Sequence, residues 1–405
     1  AMGDRFSATR YDAAGRVERV GNGVAEERYF YDGSGLLERM IDKNHYEWRY
    51  GYDAAGRRIT ETSPPVQVAT IDAGGAIVKA TRKIVTRTVY NALGQVVLRS
   101  EDDGQPNARV TEYQYDNAGR QTLTRFADAG VIDPASGALS FQGTRPTTQV
   151  SYDALGRAVV QKDVLGRYSY KVYDERGQLL QDIDADGFVT RYDYNAFGER
   201  TELKRSASKF NFALIGPWTP GSAISRAQAD AGTVVDPARD RVVRSVYDKR
   251  GLLERVEQGA LEYFRDDGVS AQGQPTTQFE YDAYGRKVRE SVLLQGSRTD
   301  ANARWADSYF YYDDLDRLVL SVDAEGYLTR NEYYPTGELK QTTQYARAIA
   351  TAGLGAATPP ALPAAGDEVV GFDRVTRFEY DALGRKFREY TRRHYADSAG
   401  SSGVR

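Results

Sequence analysis

Apolar and polar residues alternate along most of this chain in short segments, and each segment ends in residues that favour a tight turn. In one such segment Tyr113 and Tyr115 stand two apart, and Asp116 and Gly119 follow directly. A spacing of two places both aromatic side chains on the same side of a β-strand. After the glycine of such a turn the strand pattern resumes, as in the Val-Val-Leu sequence at 96–98. The pattern therefore predicts β-strands joined by tight turns.

The strand and turn pattern is an internal repeat whose unit reads Tyr-Asp-x-x-Gly-Arg. Its thirteen copies begin at Tyr11, Tyr31, Tyr52, Tyr90, Tyr115, Tyr152, Tyr173, Tyr194, Tyr247, Tyr281, Tyr312, Tyr334 and Tyr380. Halfway between several copies lies a second turn sequence, at 163–166, 184–187 and 323–326. Regular copies stand about 21 residues apart, which leaves strands of about six residues, a usual length. The repeat predicts a continuous antiparallel meander of β-hairpins.

Each copy carries the residues of a hairpin turn. The aspartate occupies the first turn position, where its carboxylate can accept hydrogen bonds from backbone N–H groups. The glycine three residues later takes the left-handed conformation that closes the hairpin with a one-residue bulge. We therefore assign a structural role in turns to Asp12, Gly15, Asp53, Gly56, Asp116, Gly119, Asp153, Gly156, Asp174, Gly177, Asp248, Gly251, Asp282, Gly285, Asp381 and Gly384.

One hairpin cannot bury its own apolar face, so neighbouring repeats must stack to build a continuous core. A long antiparallel ribbon twists and curls, and so tends to coil or to close on itself. We expect the face lined by Tyr, Val and Leu to pack or to line an interior, and the face rich in Arg, Lys, Glu and Thr to meet solvent. The predicted fold is all-β, a ribbon of hairpins that coils into a solenoid or hollow shell.

The 405 residues are interpreted as a single repeat array over 1–405 and as a piece of a longer protein. Six insertions interrupt it, near 61–85, 126–146, 205–241, 257–276, 292–305 and 345–372. Residues 222–230 predict a short helix behind a capping serine, and 346–352 predict a helical turn. Long loops in a regular array usually cover an open edge or carry specific contacts, and we favour a covering role.

Composition removes several classes of protein. The net charge is −3, and the basic and acidic residues are finely mixed, so no basic block offers a footprint for nucleic acid or an anionic membrane. No apolar run reaches the 18 or so residues that a membrane helix needs, and no signal peptide is recognisable. Cysteine is absent, which excludes disulfides and thiolate chemistry, whereas 29 tyrosines favour half-buried β-sheet.

The residues of common active sites are missing. Histidine occurs only at His45 and His394, and no zinc, triad or phosphate-loop motif is present. The prominent aspartates begin turns, so nothing singles out a pair of carboxylates for acid–base chemistry. We predict no catalytic residue, no cofactor and no enzymatic activity.

One acidic stretch resembles the start of a calcium-binding loop. Asp182, Asp184 and Asp186 stand two apart before Gly187, and Asp193 occupies the place of the last ligand. The flanks read as strands, however, and Asp184 to Gly187 falls in register with the mid-repeat turns. We favour a turn with acidic neighbours, and calcium binding is the alternative.

The arginines that follow the turn glycines could form an anion-binding stripe, but we favour solvated side chains or pairs with nearby acids. They are Arg16, Arg57, Arg120, Arg157, Arg286, Arg317 and Arg385. Exposed aromatic rings could also stack on sugars, although tyrosine at strand spacing is more often packed.

The repeated Tyr-Asp-x-x-Gly-Arg, seen intact at 11–16, 52–57, 115–120, 152–157, 281–286 and 380–385, resembles the YD repeat of RHS-type proteins. That family includes bacterial polymorphic toxins, the B and C components of Tc toxin complexes, wall-associated proteins and teneurins. The resemblance covers roughly residues 8–395. Departures occur at Asn91, Asn195, Asp316 and Pro335, and Asp316 puts the bulge of its turn in doubt.

The resemblance implies a hollow β-shell that encloses a toxin polypeptide and shields the producing cell. Its partners would be the enclosed toxin or neighbouring shell segments, and the full-length bacterial protein would be secreted or lie at the cell surface. No shell plug, self-cleaving segment or toxin domain is recognisable, so no cleavage residues are assigned. The first hypothesis is a non-enzymatic part of such a shell, and the alternative is an extracellular adhesion or carbohydrate-binding module.

Overall fold

The computed structural model describes residues 5–22, 25–71, 77–105, 108–128, 130–132, 139–141, 145–264, 268–355, 358–362, 373–392, 394–396 and 402–404. The chain forms two compact units. The first contains residues 1–25, 193–204 and 241–405, and the second contains residues 26–192 and 205–240.

Short strands make up nearly all of the regular structure. The first sixteen are β1 (Arg5–Tyr11), β2 (Val17–Gly21), β3 (Glu26–Tyr31), β4 (Leu37–Ile41), β5 (Glu47–Tyr52), β6 (Arg58–Ile71), β7 (Ile77–Tyr90), β8 (Val96–Glu101), β9 (Arg109–Tyr115), β10 (Gln121–Arg125), β11 (Gly130–Ile132), β12 (Leu139–Phe141), β13 (Thr147–Tyr152), β14 (Ala158–Lys162), β15 (Tyr168–Tyr173) and β16 (Leu179–Ile183). The others are β17 (Phe188–Tyr194), β18 (Arg200–Lys209), β19 (Arg241–Tyr247), β20 (Leu253–Gln258), β21 (Leu261–Phe264), β22 (Ser270–Gly273), β23 (Thr276–Tyr281), β24 (Lys287–Gln295), β25 (Arg304–Tyr312), β26 (Leu318–Val322), β27 (Leu328–Tyr333), β28 (Leu339–Gln344), β29 (Arg374–Tyr380), β30 (Lys386–Arg392), β31 (His394–Ala396) and β32 (Ser402–Val404).

In the second unit the strands form an antiparallel meander. Strands β3 to β10 and β13 to β17 pair in chain order, each antiparallel to the next. Strands β11 and β12 make a separate hairpin. Within each Tyr-Asp hairpin the register shifts beside the tyrosine, as between Ser151 and Tyr152.

The first unit repeats this arrangement. Strands β19, β20 and β23 to β30 pair antiparallel in chain order, while β21–β22 and β31–β32 form separate pairs. Strand β30 then pairs with β1, which pairs with β2. The predicted all-β fold of antiparallel hairpins is therefore confirmed.

The first insertion is a pair of long strands. Strands β6 and β7 have 14 residues each, and the prolines at 64 and 65 shift the register between Thr62 and Pro65 without ending the strand. Ser63 Oγ accepts a hydrogen bond from the Ile84 backbone N–H at 2.9 Å, which connects β6 to β7 where the register shifts.

The helix predictions need two corrections. The helix α1 spans Arg226–Gly232, and its cap is Ser225, whose hydroxyl and backbone N–H form a reciprocal capping box with Gln228. Residues 346–352 are not helical, because the backbone N–H of Ile349 bonds outward to the Gly326 carbonyl at 2.9 Å. A 3-10 turn at Phe212–Leu214 is the other helical element of the described residues, and among these no helix is long or apolar enough to span a membrane.

Two insertions cover patches of sheet. In the second unit, residues from 205–241 bury side chains of β14 to β17 in a cluster of Val160, Tyr170, Val172, Ile183, Val189, Phe210, Ile215, Ile224 and Ala229. In the first unit, Tyr345, Ile349 and Leu354 pack on a cluster of Tyr309, Tyr311, Val322 and Leu328.

Both clusters lie on the same kind of surface, which we call the insertion face. It carries the side chains one and three residues before the tyrosine that begins each copy. These are Val172 and Tyr170 in one covered copy, and Tyr311 and Tyr309 in the other. In the eleven other copies at least one of the two positions is polar or charged. The aromatic residues two before the tyrosine do not mark the core, since Tyr113 is only half-buried.

Candidate functional site at the repeat turns

The turn at 152–157 shows how one copy is built. Asp153 Oδ1 accepts hydrogen bonds from the backbone N–H groups of Leu155 and Arg157 at 3.0 and 2.9 Å. The Gly156 N–H donates to the Asp153 carbonyl at 3.0 Å, and Gly156 has φ +84°. A side chain at that φ is strained, so glycine allows the turn to close.

The other predicted turn residues adopt the same arrangement. In each pair the glycine N–H donates to the aspartate carbonyl at 2.9 to 3.1 Å, and the glycine φ lies between +71° and +87°. The pairs are Asp12 and Gly15, Asp53 and Gly56, Asp116 and Gly119, Asp153 and Gly156, Asp174 and Gly177, Asp248 and Gly251, Asp282 and Gly285, and Asp381 and Gly384.

Two departures from the motif are accommodated without a glycine or an aspartate. Asp316 stands in the glycine position with φ +61°, and its N–H still bonds to the Asp313 carbonyl at 3.1 Å. Its carboxylate lies 2.6 Å from Arg286 Nη1. In the twelfth copy the hairpin register makes Tyr333 the repeat tyrosine, and Tyr334 takes the aspartate position. The start assigned at Tyr334 is therefore wrong by one residue.

The arginine of the motif connects its own turn to the next copy. Arg157 Nε donates to Asp153 Oδ2 at 2.7 Å, and Arg157 Nη1 donates to the Asp174 carbonyl at 3.1 Å. Its guanidinium carbon lies 4.6 Å from the ring centre of Tyr173. A cation at that distance is attracted to the ring face. One arginine therefore joins two successive turns.

Equivalent arginines make the same contacts along the chain. Each donates from Nε to the aspartate of its own turn at 2.6 to 2.8 Å, and the set is Arg16, Arg57, Arg120, Arg157, Arg286, Arg317 and Arg385. Most of them also lie over the tyrosine of the next copy, in the pairs Arg57 and Tyr90, Arg120 and Tyr152, Arg157 and Tyr173, Arg286 and Tyr312, and Arg317 and Tyr333. The alternative of an open anion-binding stripe finds no support in these paired side chains.

The repeat tyrosine provides the second half of the contact. Its hydroxyl donates to a backbone carbonyl of the neighbouring copy at 2.7 to 3.3 Å, two residues after that copy's turn glycine or, for Tyr333, after Asp316 in the glycine position. The donors are Tyr11, Tyr52, Tyr90, Tyr115, Tyr152, Tyr173, Tyr247, Tyr281, Tyr312 and Tyr333. We call the combined arginine and tyrosine contacts the repeat joint. Sequence reasoning missed it, although the constant spacing of Tyr and Arg around the turn was a usable signal.

The electrostatics of the joint follow from these bonds. The pKa of Asp116 is lowered, first by the side-chain hydrogen bond from Arg120 and then by the backbone N–H groups aimed at the carboxylate. Burial raises the pKa of Tyr115. Asp116 therefore stays ionised and paired, and Tyr115 stays a neutral donor.

The family model for the RHS Repeat matches residues 31–64 and 173–208, two stretches that each begin at a repeat tyrosine. The chain therefore contains RHS repeats.

Two curated relatives of this RHS-repeat chain are toxins by name. Toxin protein Tse5 of Pseudomonas aeruginosa is 29% identical over 339 residues, covering 73% of this chain and 24% of Tse5. Double-stranded DNA deaminase toxin A of Burkholderia cenocepacia is 25% identical over 335 residues, covering 74% of this chain and 20% of that protein. The RHS-repeat chain thus spans about a quarter or less of the length of these relatives.

A solved structure of the Photorhabdus luminescens Tc holotoxin pore also aligns with the RHS-repeat chain. It is 14% identical, with 98% of this chain and 23% of that chain covered, at a TM-score of 0.26. A score this low supports no functional conclusion.

The calcium candidates of the RHS-repeat chain have separate partners. Asp182 lies 2.5 Å from Lys171 Nζ, and Asp186 lies 2.8 Å from Arg167 Nη1. Asp184 caps the turn through the N–H groups of residues 186 and 188, and Asp193 is exposed on β17. Within the described ranges no group of three or more His, Asp or Glu side chains is placed to hold a metal ion.

Proposed function

We propose that this chain is a non-enzymatic wall segment of an RHS shell that holds a toxin polypeptide. The observation that carries the proposal is the repeat joint. It commits the tyrosine, aspartate and arginine of each motif to linking one hairpin to the next, as Tyr173, Asp153 and Arg157 show. A motif used in this way builds extended sheet from any number of copies.

The named relatives support a toxin context. Both are called toxins, and the region similar to this chain makes up only 24% and 20% of their lengths. More than three quarters of each relative therefore lies outside the region that is similar to this chain. A toxin segment outside the repeats is therefore compatible with a structural role for the repeats themselves.

Where no insertion covers it, the insertion face has the chemistry of a surface that binds a neighbouring polypeptide only weakly. Several of its charged side chains are paired across strands, as in Arg39 with Glu47 at 3.2 Å and Arg125 with Glu112 at 3.1 Å. Paired charges present few strong binding sites to a neighbouring polypeptide. Such a surface would enclose a toxin polypeptide without binding one conformation of it tightly.

Limited proteolysis of the full-length polypeptide tests this proposal. The double variant Arg120→Ala and Tyr152→Phe removes one joint and should make the toxin segment about tenfold more susceptible, since local opening exposes what the wall covers. The matched control is Leu155→Ala, a substitution of an exposed side chain in the same turn. A toxin segment that is cleaved equally fast in the unmodified protein and in a form without the repeats would refute the shell role.

A groove on the second unit favours carbohydrate binding as a second candidate function. The groove has a volume of about 440 Å³, and its walls include Arg58, Glu61, Tyr90, Arg99, Tyr113 and Tyr115. Aromatic rings beside charged planar groups suit stacking on sugars. The hydroxyls of Tyr90 and Tyr115 are bonded to backbone carbonyls as part of the repeat joint, whereas Tyr113 takes no part in a joint, so Tyr113 is the residue to test.

A glycan array followed by calorimetry tests the second candidate. Micromolar binding that disappears in Tyr113→Ala and persists in Tyr46→Ala, a control at an exposed tyrosine, would establish it. Absence of binding in the unmodified chain would remove it.

A further inference from the structure

The pairing of β1 with β30 forms a seam inside the first unit. Residues 5 to 8 pair with 391 to 388, and the two strands of this seam belong to the copies that begin at Tyr11 and Tyr380. The Tyr11 hydroxyl donates to the Lys386 carbonyl at 3.3 Å. Arg385 Nη1 donates to the Gly15 carbonyl at 3.0 Å, and its guanidinium carbon lies 4.0 Å from the Tyr11 ring centre.

These contacts reproduce the repeat joint between successive copies. In the joint from Arg157 to Tyr173, the tyrosine hydroxyl donates to the Ala158 carbonyl at 3.3 Å and the arginine lies 4.6 Å from the ring centre. The strands β14 and β15 there pair over three residues, whereas β1 and β30 pair over four. The same contacts can therefore form whether β1 and β30 belong to one molecule or to two.

The seam differs from every other joint in one respect. At the joints between successive copies the bonded residues are at most 47 positions apart, as for Tyr247 and Arg200, whereas Arg385 and Gly15 at the seam are 370 positions apart. When the seam opens, two edges appear that are complementary to each other and to the same edges of another molecule. Open strand edges readily pair with a new chain.

We propose that the β1–β30 seam is an exchangeable interface that binds a second copy of this chain, with β1 of each molecule paired to β30 of the other. The exchange replaces two intramolecular seams with two identical intermolecular ones, so no contact is lost. Reciprocal exchange of this kind is a low-cost route to a closed dimer. The occupant is a second copy because the seam repeats an interface already present throughout the molecule.

Disulfide trapping tests the proposal, and the absence of native cysteine makes the result unambiguous. Ser7→Cys and Glu389→Cys place thiols at paired positions of the seam. The control pair, Gln149→Cys and Lys162→Cys, occupies paired positions within one hairpin. Two differently tagged copies of each double variant are refolded together at about 1 µM and about 500 µM and then oxidised, since intermolecular pairing competes with an intramolecular effective concentration near the millimolar range.

The expected result is an intramolecular seam disulfide at the low concentration and mixed-tag disulfide dimers at the high one. The control pair should form only intramolecular disulfides at both concentrations. Seam disulfides that stay intramolecular at both concentrations would overturn the proposal, and so would the absence of any seam disulfide.

A second measurement separates the seam from general stability. Arg385→Ala weakens the intramolecular and the intermolecular seam alike, so exchange between tagged copies should become about tenfold faster with the final dimer fraction unchanged. Arg317→Ala breaks an interior joint with the same contacts and should leave the exchange rate unchanged. Equal acceleration by both variants would show that exchange follows global unfolding and would refute a distinct seam.

Discussion

The copies that begin at Tyr52 and Tyr173 share the same turn and joint, yet the sheet around them is packed in different ways. Both tyrosine hydroxyls bond to a carbonyl of the preceding copy. On the insertion face, Tyr170 and Val172 are buried beneath residues of 205–241. The corresponding Arg49 of the other copy is exposed and lies 2.5 Å from Glu47. The motif therefore builds the ribbon, whereas the burial of apolar surface depends on a distant insertion.

The largest expected difference in stability is between removing an aromatic ring from the covered cluster and removing one from an uncovered copy. Phe210→Ala empties the covered cluster and should lower the free energy of unfolding by about 3–5 kcal/mol. Phe30→Ala, on the insertion face of an uncovered copy, should cost about 1 kcal/mol, because Phe30 loses chiefly the contact with Arg39 at 3.9 Å. Urea unfolding measures both. Equal losses would mean that the insertion adds no stability to the sheet.

A methyl group added beneath the insertion gives a smaller effect of the same sign. A Cβ at Gly232 would overlap the ring of Phe210, so Gly232→Ala should lower the free energy of unfolding by about 1–3 kcal/mol through forced repacking. At Gly33, in a turn of the uncovered region, a Cβ meets no atom within 4 Å. Gly33→Ala should change the stability by less than about 0.5 kcal/mol. A Gly232→Ala variant as stable as the parent would place the helix α1 farther from Phe210 than described.

The repeat joint should respond equally in both regions. Tyr52→Phe and Tyr173→Phe each remove one hydroxyl that donates to a backbone carbonyl, at 2.9 and 3.3 Å, and each should cost about 1 kcal/mol. Tyr46→Phe, at an exposed tyrosine, is the control without an expected effect. Thermal unfolding of the three variants provides the measurement. A large cost confined to Tyr173→Phe would contradict a joint that is common to all copies.

The smallest effect concerns acid pH and should also be shared. The side-chain hydrogen bond from Arg57 lowers the pKa of Asp53 below its ordinary 3.8, and backbone hydrogen bonds from Arg167 and neighbours lower that of Asp163. A lowered pKa stabilises the fold above the ordinary value, and this contribution disappears as the pH falls through the folded value.

Asp53→Asn and Asp163→Asn keep the oxygen that caps the turn but lose the ion pair. Each variant should therefore be less stable than the parent near pH 6, and the difference should shrink below about pH 3.8. Chemical denaturation at several pH values measures the trend. A difference that stays constant with pH would exclude the ion pair as its source.

Much of the candidate site could be predicted because its chemistry is local. The aspartate and glycine of a turn such as 153–156 act on backbone groups within four residues, and their types alone indicate the geometry. The partner of Arg157 in the next turn could not be predicted in the same way. Asp174 lies 17 residues away, and only the pairing of the strands between them brings it within reach.

The structure of the insertions could likewise be predicted only in part. The helix α1 was predictable as an element from its residues, but its cap at Ser225 depends on the actual hydrogen bonds with Gln228. The region 346–352 has helix-forming composition and yet is not helical, because its backbone bonds to the turn at Gly326. Tertiary partners outweigh propensity in such short segments.

The strands, their turns and the order in which neighbouring hairpins pair could be predicted from the sequence, because they depend on periods and turn residues that act over a few positions. It took the folded structure to show that Tyr-Asp-x-x-Gly-Arg links each copy to the next, that Tyr170 and Tyr309 are buried, and that β1 pairs with β30. Those contacts join residues far apart in the chain. They exist only once the sheet has brought the two surfaces together, and no local pattern specifies which surfaces will meet.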